Sequence, residues 1–514
     1  MNQAMDSAKG FTPSSTGFFQ LTEHLGNDDT LTMRHTAIEH ILGTEGRDVL
    51  RRLFEDHCRL RNIGDVGAQI VGADGVVRTH KKIQSRRLLT LYGAITIERL
   101  GYGYRGVPSL FPKDALLNLP SDSYSHGVRK LVAYEASKSS FSEVVWMIEQ
   151  CTGIKIPKHT VEELANKAAV DFDAFYDQKN RKKDVNPVIP PSLLVLSTDA
   201  KGIVMRKADL KKATRKAAEL RLHKYRKRQA KGEKAHAKRM AAVATVYGIE
   251  RFVRTPQDIL KEMRDSSFSV RRPRPVDKRV WASIEKEAIA VTEDLFAEAL
   301  YRDPDKRRQW VCLVDGDPRQ LGRVKTVARQ HGVEVSIILD IIHVIEYLWK
   351  AAWCFFQEGD MRAEDWVSER LLAILKGKAA FVAAGIRRSA TRKKFSLKDR
   401  KAIDKCAGYL LKNKHYLEYN RYLQEGWPIA SGVIEGACRH LIKDRMDVTG
   451  ARLSLNGAEA ILKLRSFRSS GDFEEYWEFH EDQEYARNHL RLYAEPMVLD
   501  KLGVKRGLSE PGSL

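Results

Sequence analysis

The chain has 514 residues, enough for about two to four domains. Its 88 Lys and Arg exceed its 67 Asp and Glu, and the formal net charge of +21 favours nucleic acid as partner over a soluble basic protein without one. Six cysteines without a CxxC pair argue against a disulfide framework or zinc module, and no apolar run reaches the ~20 residues of a membrane span. Without an apolar signal core at its start, we expect the chain in the cytoplasm.

The first third of the chain predicts helices followed by a small sheet. Residues 34–62 carry apolar residues at helical spacing, and we assign 1–70 to an N-terminal helical region. Short alternating stretches rich in Val, Thr, Ile and Tyr predict a small antiparallel β region over 71–125.

A helical region is predicted next, over 126–183. Within it, residues 139–169 predict a helix, a Thr-Gly turn and a second helix, with Lys158 near the start of the second. This pattern fits a helix-turn-helix, which places a recognition helix in the DNA major groove, and fits an ordinary helical hairpin equally well.

The second half predicts an α/β core behind a proline-marked linker at 184–192. Strands alternate with helices over 190–357, which is typical of helices packed on a mostly parallel sheet. In this core the segment AKGIVMR could return as the hairpin partner of the apolar run LLVLS. Residues 358–428 are helical without strand signals, helices follow over 429–470, and a polar, aromatic tail covers 471–514.

One segment of the core is strongly basic. Residues 206–239 hold 15 Lys and Arg but 3 Asp and Glu. Such a run is usually a solvated helix or a flexible insertion. Its place just beyond a strand-end acid favours a phosphate-binding arm, with Arg226, Lys227 and Arg228 among its DNA contacts. Few aromatic residues occur in it, so base stacking is not expected.

Two carboxylates end predicted buried strands, and a third opens a helix. Asp199 follows LLVLST and Asp315 follows WVCLV, at the carboxyl ends of strands where sites collect in α/β sheets. Glu435 lies in the first turn of a helix predicted over 431–446. Each acid also has a structural explanation, as a turn residue or a partner of the helix dipole. Asp317 is a competing candidate that spacing does not exclude.

Three carboxylates brought together predict a bound cation. Like charges ~4 Å apart repel by several kcal/mol, and a divalent cation removes that cost. Oxygen ligands select Mg²⁺ or Mn²⁺ over softer metals. Two such ions about 4 Å apart would clamp the attacking and leaving oxygens of an in-line phosphoryl transfer.

The helix that carries Glu435 is basic beyond its first turn. Ser431 is its expected N-cap. Arg439, Lys443 and Arg445 follow Glu435 along the helix. We expect these cations to hold backbone phosphates beside the metal ions, which positions the DNA without reading its bases.

The block PIASGVIEGACRHLIKDRMDVTGARLSLNGAEAILKLRSFRSSGDFEEYWEFH resembles the C-terminal signature of bacterial insertion-sequence transposases of the ISKra type. LSTDAKGIVMR and WVCLVDGDPRQL resemble that family's first two acidic motifs, and the likeness covers roughly 190–490, with a weaker likeness before it. The resemblance implies a multidomain α/β DDE transposase with a ribonuclease H-like catalytic core, preceded by an α+β and helical DNA-binding region. Because the gap between the second and third acids is long, it also implies that the helical stretch 358–428 is an all-α insertion.

By motif position, the resemblance implies that Asp199, Asp315 and Glu435 are the catalytic ligands of two Mg²⁺ or Mn²⁺ ions. LDIIHVIEYLW resembles the Asp-x-x-His motif of Mutator-like transposases and implies supporting roles for Asp340 and His343. The residues alone also fit an N-cap Asp340 and a packed His343. One face of a helix would carry both, since they are three residues apart.

The implied partners are double-stranded DNA, as terminal repeats and as target, and a second copy of the chain in the DNA complex. No membrane or small-molecule substrate is implied, and the protein would act at the bacterial nucleoid. Because no cysteine-pair module precedes the core, the small sheet and the helix-turn-helix would recognise the DNA ends. Two other functions remain open: a ribonuclease H-like nuclease or resolvase without strand transfer, and a decayed or domesticated copy that only binds DNA.

Overall fold

The computed structural model describes residues 9–181, 191–219, 237–265, 267, 270–448 and 451–494. The chain forms two units, one of Met1–Gln178 with Asp472–Leu514 and one of Lys179–Gly471. Both contain helices and strands, so the chain is a mixed α/β protein of more than one unit. No helix in the described ranges combines the length and apolar character that a membrane crossing requires.

Helices begin the first unit, as the apolar spacing of 34–62 predicts. They are Thr12–Gly26, Asp28–Leu31, His35–Ile41 and Arg47–Leu60, with a π-helical turn at Leu42–Gly46. The Ser14 backbone N–H donates to Asp56, which is 1% exposed, at 3.0 Å. This bond joins the first of these helices to the last.

Five strands follow in the first unit: β1 Ile70–Val71, β2 Val77–Arg78, β3 His80–Thr90, β4 Gly93–Tyr104 and β5 Val107–Leu110. β3, β4 and β5 form an antiparallel sheet in that order, and β1 pairs with β2. The predicted antiparallel region is therefore confirmed. Leu88, Ile95 and Ile97 are each 1% exposed and form its core with Cys58.

The predicted helix, turn and helix over 139–169 are present as Phe141–Thr152 and Lys158–Lys167. Ser140 and Glu143 form a capping box at the start of the first helix. Gly153 ends that helix with φ +69°, a left-handed conformation that glycine adopts without strain. The other helices of this part of the chain are Pro112–Leu116, His126–Ala136 and Phe172–Arg181.

Helix Phe473–Asn488, from the sequence predicted as a polar tail, belongs to the first unit and is anchored by buried charges. His480 is fully buried and its Nδ1 lies 2.7 Å from Asp171. Arg487 donates to both Asp171 oxygens at 2.6 and 2.8 Å, and Arg129 donates to Glu484 at 2.7 Å. Burial alone would raise the pKa of Glu484. The hydrogen bonds and charge of Arg129, and then the hydrogen bond of Arg487, have the larger effect and lower this pKa to about 2.

Because the pKa of folded Glu484 lies below its ordinary value of 4.5, its stabilisation is complete above about pH 4.5 and is lost as the pH falls towards 2. Glu484→Gln should therefore lower the Tm of the full chain by about 2 °C or more at pH 6 and by less at pH 3, in scanning calorimetry. Glu474→Gln, at an ion pair whose acid is 73% exposed, is the matched control and should change Tm little at either pH. Equal Tm losses for Glu484→Gln at both pH values would contradict the assignment.

The second unit is built on one five-stranded sheet. Its strands are β6 Leu193–Val204, β7 Lys238–Ile249, β8 Val276–Ser283, β9 Gln309–Val314 and β10 Ser336–Leu339. They lie in the order β10-β9-β6-β7-β8. β6 is parallel to β9 and β9 to β10, whereas β6–β7 and β7–β8 are antiparallel. The expectation of a mostly parallel sheet is thus wrong for half of the sheet.

The hairpin predicted between LLVLS and AKGIVMR is also wrong. The two segments form one strand, β6, whose partner β7 pairs with it from Leu193↔Ile249 to Val204↔Lys238. A continuous ladder with β7 hydrogen-bonds the backbone along the whole run, which a turn inside it would interrupt. The described part of the basic segment 206–239 includes helix Lys212–Glu219; residues 220–236 and most of the linker 184–192 lie outside the described residues.

Helices cover the sheet and fill the stretch after it. Helix Pro256–Arg264 lies between β7 and β8, Ala288–Arg302 between β8 and β9, Pro318–Gln330 between β9 and β10, and Ile341–Ala352 follows β10. The stretch predicted as helical, 358–428, contains Met361–Leu375, Ala379–Arg392, Lys401–Lys412 and Tyr419–Gln424. Residues of these helices share one core with the sheet, exemplified by Val311, Leu339, Ile374 and Leu410, each fully buried.

After the helical stretch, the helix predicted over 431–446 forms as three consecutive segments: Gly432–Ala437, the π-helical Cys438–Lys443, and Asp444–Met446. We call them together the Glu435 helix. Helix Leu455–Ser470 follows and packs on β8, where buried Glu459 accepts the Ile284 backbone N–H at 2.8 Å.

Candidate metal centre

Three aspartates lie near the same end of three neighbouring parallel strands. Asp315 and Asp340 directly follow β9 and β10, whereas Asp199, expected to end its strand, lies inside β6. The last pair in the ladder of β6 and β9 is Ser197↔Leu313, and Asp199 and Asp315 each lie two residues beyond it. Asp340 directly follows β10, and its backbone N–H donates to the carbonyl oxygen at the end of β9 at 2.8 Å. The sheet thus brings Asp199, Asp315 and Asp340 to one edge, with Asp315 on the middle strand.

The side chain of Gln320 fixes the ends of the first two acidic strands to each other. Its Nε2 donates to the Thr198 carbonyl oxygen at 2.5 Å, and its Oε1 accepts the Asp315 backbone N–H at 3.1 Å. Gln320 is 5% exposed, in the first turn of helix Pro318–Gln330. The amide offers a donor and an acceptor at once, so it bridges β6 and β9 just beyond the last pair of the ladder between them.

Asp317, the competing acid, is occupied as a helix cap. It is the N-cap of helix Pro318–Gln330 and accepts the backbone N–H groups of Arg319 at 2.7 Å and Gln320 at 3.3 Å. Its own N–H donates to Asp315 Oδ1 at 2.8 Å across Gly316, whose φ of +89° requires glycine in this turn. The geometry therefore favours Asp315 as the acid that faces the centre.

Asp340 joins the end of β10 to the start of the Glu435 helix. It caps helix Ile341–Ala352 through its Oδ1, which accepts the Ile342 N–H at 2.8 Å. Its Oδ2 accepts both the backbone N–H of Ser431, at 3.0 Å, and the Ser431 hydroxyl. Ser431 occupies the expected N-cap position, but the expected cap hydrogen bond is wrong. Its hydroxyl donates to Asp340 and makes no cap hydrogen bond to its own helix.

Glu435 meets the Asp-x-x-His pair. Among the described residues, the group whose ligand atoms all lie within 4.8 Å of one another is Asp340, His343 and Glu435. Asp199 and Asp315 are not members of this group. Partial burial and then the charge of Asp340 raise the pKa of Glu435, while the nearby His343 and Lys201 oppose the rise. Such mutual repulsion is what a divalent cation relieves.

The Glu435 helix also contacts Asp199. The Cys438 thiol, one turn beyond Glu435, donates to Asp199 Oδ2 at 3.1 Å. The Lys201 ammonium lies 3.3 Å from the same oxygen. Burial raises the pKa of the Cys438 thiol well above its ordinary value, and the Asp199 charge adds to the rise, so the thiol stays a neutral donor.

The donor set fits hard divalent cations. Carboxylate oxygens of Asp199, Asp315, Asp340 and Glu435 suit Mg²⁺ or Mn²⁺, and the His343 imidazole would favour Mn²⁺ over Mg²⁺. Glu435 and Asp315 Oδ2 accept no hydrogen bond from the described residues, so both can bind an ion, whereas Asp340 already accepts three. Asp340 therefore positions two helices and also offers a ligand atom within 4.8 Å of those of His343 and Glu435.

The basic residues of the Glu435 helix differ in how exposed their side chains are. Arg439 has 73% of its side chain exposed, near Asp444, and Lys443 is also exposed. Arg445 is 3% exposed, so the prediction that it contacts DNA is wrong. The π-helical segment before it has a wider turn, which rotates the following residues about the helix axis and turns this side chain inward.

The other residues predicted to contact DNA lie far from the Glu435 helix in the sequence. Lys158 is exposed at the first position of helix Lys158–Lys167, in the first unit. Exposed Glu163 on the same helix works against phosphate binding there. Arg226, Lys227 and Arg228 lie outside the described residues.

Sequence reasoning missed Gln320, Cys438 and Lys201 as parts of the centre. The signals for two of them are weak but present. Lys201 lies two residues after Asp199 on a strand, hence on the same face, and Cys438 lies three residues after Glu435 on a helix. Gln320 carries no such signal, because only the turn after β9 brings its amide to the neighbouring strand.

Comparison of the sequence with protein-family models finds no match, and comparison with curated proteins finds none.

Replacing Gln320 by Met removes both hydrogen bonds at nearly constant volume and leaves the Thr198 carbonyl and Asp315 N–H without that partner. We expect the free energy of unfolding to fall by about 1–3 kcal/mol, measured by urea denaturation. The control, Gln330→Met, changes an exposed residue at the other end of the same helix and should cost less than about 0.5 kcal/mol. Equal losses in the two variants would show that the bridge is not structural.

Proposed function

We propose that this chain is a metal-dependent DNA transposase of the insertion-sequence class, which cuts the ends of its element and joins them to target DNA. One observation carries the proposal. Asp199 on β6 and Asp315 after β9 each lie two residues beyond the last pair of the parallel β6–β9 ladder, and the helix that presents Glu435 is bonded to both sides of that place. Ser431 ties it to Asp340 at β10, and Cys438 ties it to Asp199 on β6.

The sheet of the second unit supports a ribonuclease H-like core. β6 lies in the centre, its antiparallel neighbours β7 and β8 lie to one side, and the parallel β9 and β10 lie to the other. This is the arrangement that such a core implies, with the first acid on the central strand and the second on its parallel neighbour. The helices from Met361 to Gln424 come between β10 and the Glu435 helix, where the all-α insertion is expected.

In the proposed mechanism, Asp199, Asp315 and Glu435 hold two Mg²⁺ or Mn²⁺ ions. When bound, these ions would activate water and stabilise the leaving 3′ oxygen at the end of the element. The freed 3′-OH would then attack a phosphodiester of the target strand, and the bond from that phosphorus to the target's own 3′ oxygen would break, so the chain needs no Ser or Tyr nucleophile. Gln320 keeps the first two acids at a fixed separation, and Asp340 keeps the Glu435 helix in place.

DNA would approach along the exposed side of the Glu435 helix. Arg439 and Lys443 are exposed beyond the acid, and their charges would offset the repulsion between backbone phosphates and the carboxylates. His343, 36% exposed by side chain, lies at the same place and supports Glu435. Joining of two ends implies at least two copies of the chain in the DNA complex.

The first test is strand transfer by the purified chain on a plasmid with the element's own ends, in Mg²⁺ or EDTA. Asp199→Asn, Asp315→Asn and Glu435→Gln keep side-chain size and should each lower the rate of joining by at least about a hundredfold. Asp317→Asn is the control: asparagine is a good N-cap, so activity should stay within about threefold.

Metal-dependent cleavage without joined products would instead identify a nuclease or resolvase. DNA binding without cleavage would identify a chain that only binds DNA. Joining that survives Glu435→Gln would remove Glu435 from the centre.

Salt dependence tests the phosphate contacts separately from the chemistry. Arg439→Ala and Lys443→Ala should each weaken binding to duplexes of any sequence and reduce the slope of log K against log salt by about one. Arg388→Ala, an exposed arginine on helix Ala379–Arg392, serves as control and should leave the slope unchanged. Fluorescence anisotropy between low and moderate salt measures the slopes; unchanged slopes in both variants would place the DNA elsewhere.

A further inference from the structure

Lys201 is a cation inside the acidic centre. It lies two residues after Asp199 on β6, so the two side chains project from the same face of the strand. Its Nζ is 3.3 Å from Asp199 Oδ2, and its side chain is 38% exposed. Burial lowers the pKa of Lys201, but the charge and hydrogen bond of Asp199 and the charge of Glu435 outweigh burial and raise it, so the ammonium stays charged beside these groups.

The Asp199 carboxylate is fully engaged in this arrangement. Oδ2 faces the Lys201 ammonium and also accepts the Cys438 thiol at 3.1 Å. Oδ1 accepts the backbone N–H of Ala200 at 2.6 Å. An ion that binds Asp199 Oδ2 therefore competes with two donors, and the ammonium is the donor whose charge it would oppose.

We propose that Lys201 is the internal counter-ion of the metal-free centre and that a divalent ion binds by displacing its ammonium from Asp199. The inference rests on the proposed function, because the ion would occupy the same carboxylates. It makes Lys201 a positioning residue that sets metal affinity. A single ammonium keeps the carboxylates of Asp199 and Glu435 partly neutralised without metal, and a dication replaces it with more charge.

The lysine stem makes the exchange feasible. Four methylene groups allow the ammonium to move while the strand stays fixed, and the exposed part of the side chain gives it access to water. Cys438 cannot move in this way, since it is 1% exposed on the Glu435 helix.

The test is calorimetric titration of the full-length chain with Mn²⁺ alone. Lys201→Met removes the competing charge and should tighten Mn²⁺ binding by about threefold to fivefold, the range expected of a partly exposed ion pair. Lys201→Arg keeps the charge, and Lys207→Met changes an exposed lysine nearby; both should bind within about twofold of the wild type. Unchanged or weaker binding by Lys201→Met would overturn the proposal.

Thermal denaturation supplies a second readout. In EDTA, Lys201→Met should melt below the wild type because the carboxylates lose their counter-ion, and saturating Mn²⁺ should close that gap. In an Asp199→Asn background, Lys201→Met should change Tm in EDTA much less, since the ion pair is already broken. Equal effects of Lys201→Met with and without Asp199 would overturn the pairing.

The outcomes separate this inference from the proposed function. A wild-type chain that binds no Mn²⁺ would refute the metal centre and, with it, the exchange. A wild type that binds Mn²⁺ while Lys201→Met binds no more tightly would refute the exchange alone.

Discussion

The bond between Asp340 and Ser431 is the constraint on which the centre depends. The two residues are 91 positions apart, and the helical stretch 358–428 lies between them. The strand edge by itself presents aspartates, but Glu435 comes from a separate helix that must start at a defined place. Asp340 Oδ2 accepts both the backbone N–H and the hydroxyl of Ser431, and Ile341 N–H donates to the Ile429 carbonyl at 2.9 Å beside it.

This constraint explains why a long insertion is compatible with a fixed site. Loop-closure entropy grows slowly with length, so added helices cost little if both ends of the insertion are fixed. Here the helices also share a hydrophobic core with the sheet, through fully buried side chains such as Leu339 and Leu410. The helical stretch therefore packs as part of the second unit and holds the entrance of the Glu435 helix.

The sequence predicts the centre where function is encoded locally. Asp315 is predictable because an apolar run that ends in an acid marks a buried strand and its carboxyl end. Asp199 is expected to end its strand in the same way, but it lies inside β6, just beyond the parallel pairing with β9. The partners of the strands are not predictable, because strand pairing is a long-range property. β6 continues into AKGIVMR and pairs with β7, which follows the basic segment. The contacts of Ser431 and Gln320 escape prediction for the same reason, since each binds a residue on another element.

Arg445 shows a subtler limit of sequence reasoning. An unbroken α-helix places residues at fixed angles about its axis, so a basic stretch after Glu435 predicts a basic face. The π-helical segment Cys438–Lys443 has more residues per turn and rotates the residues beyond it, which leaves Lys443 exposed and buries Arg445. The segment is supported by Arg465, which donates to the His440 carbonyl oxygen. A wide turn that starts just past the acid places Cys438 against Asp199 while Arg439 stays outside. The irregular helix thus lets one segment face the carboxylates on one side while Arg439 and Lys443 are exposed on the other.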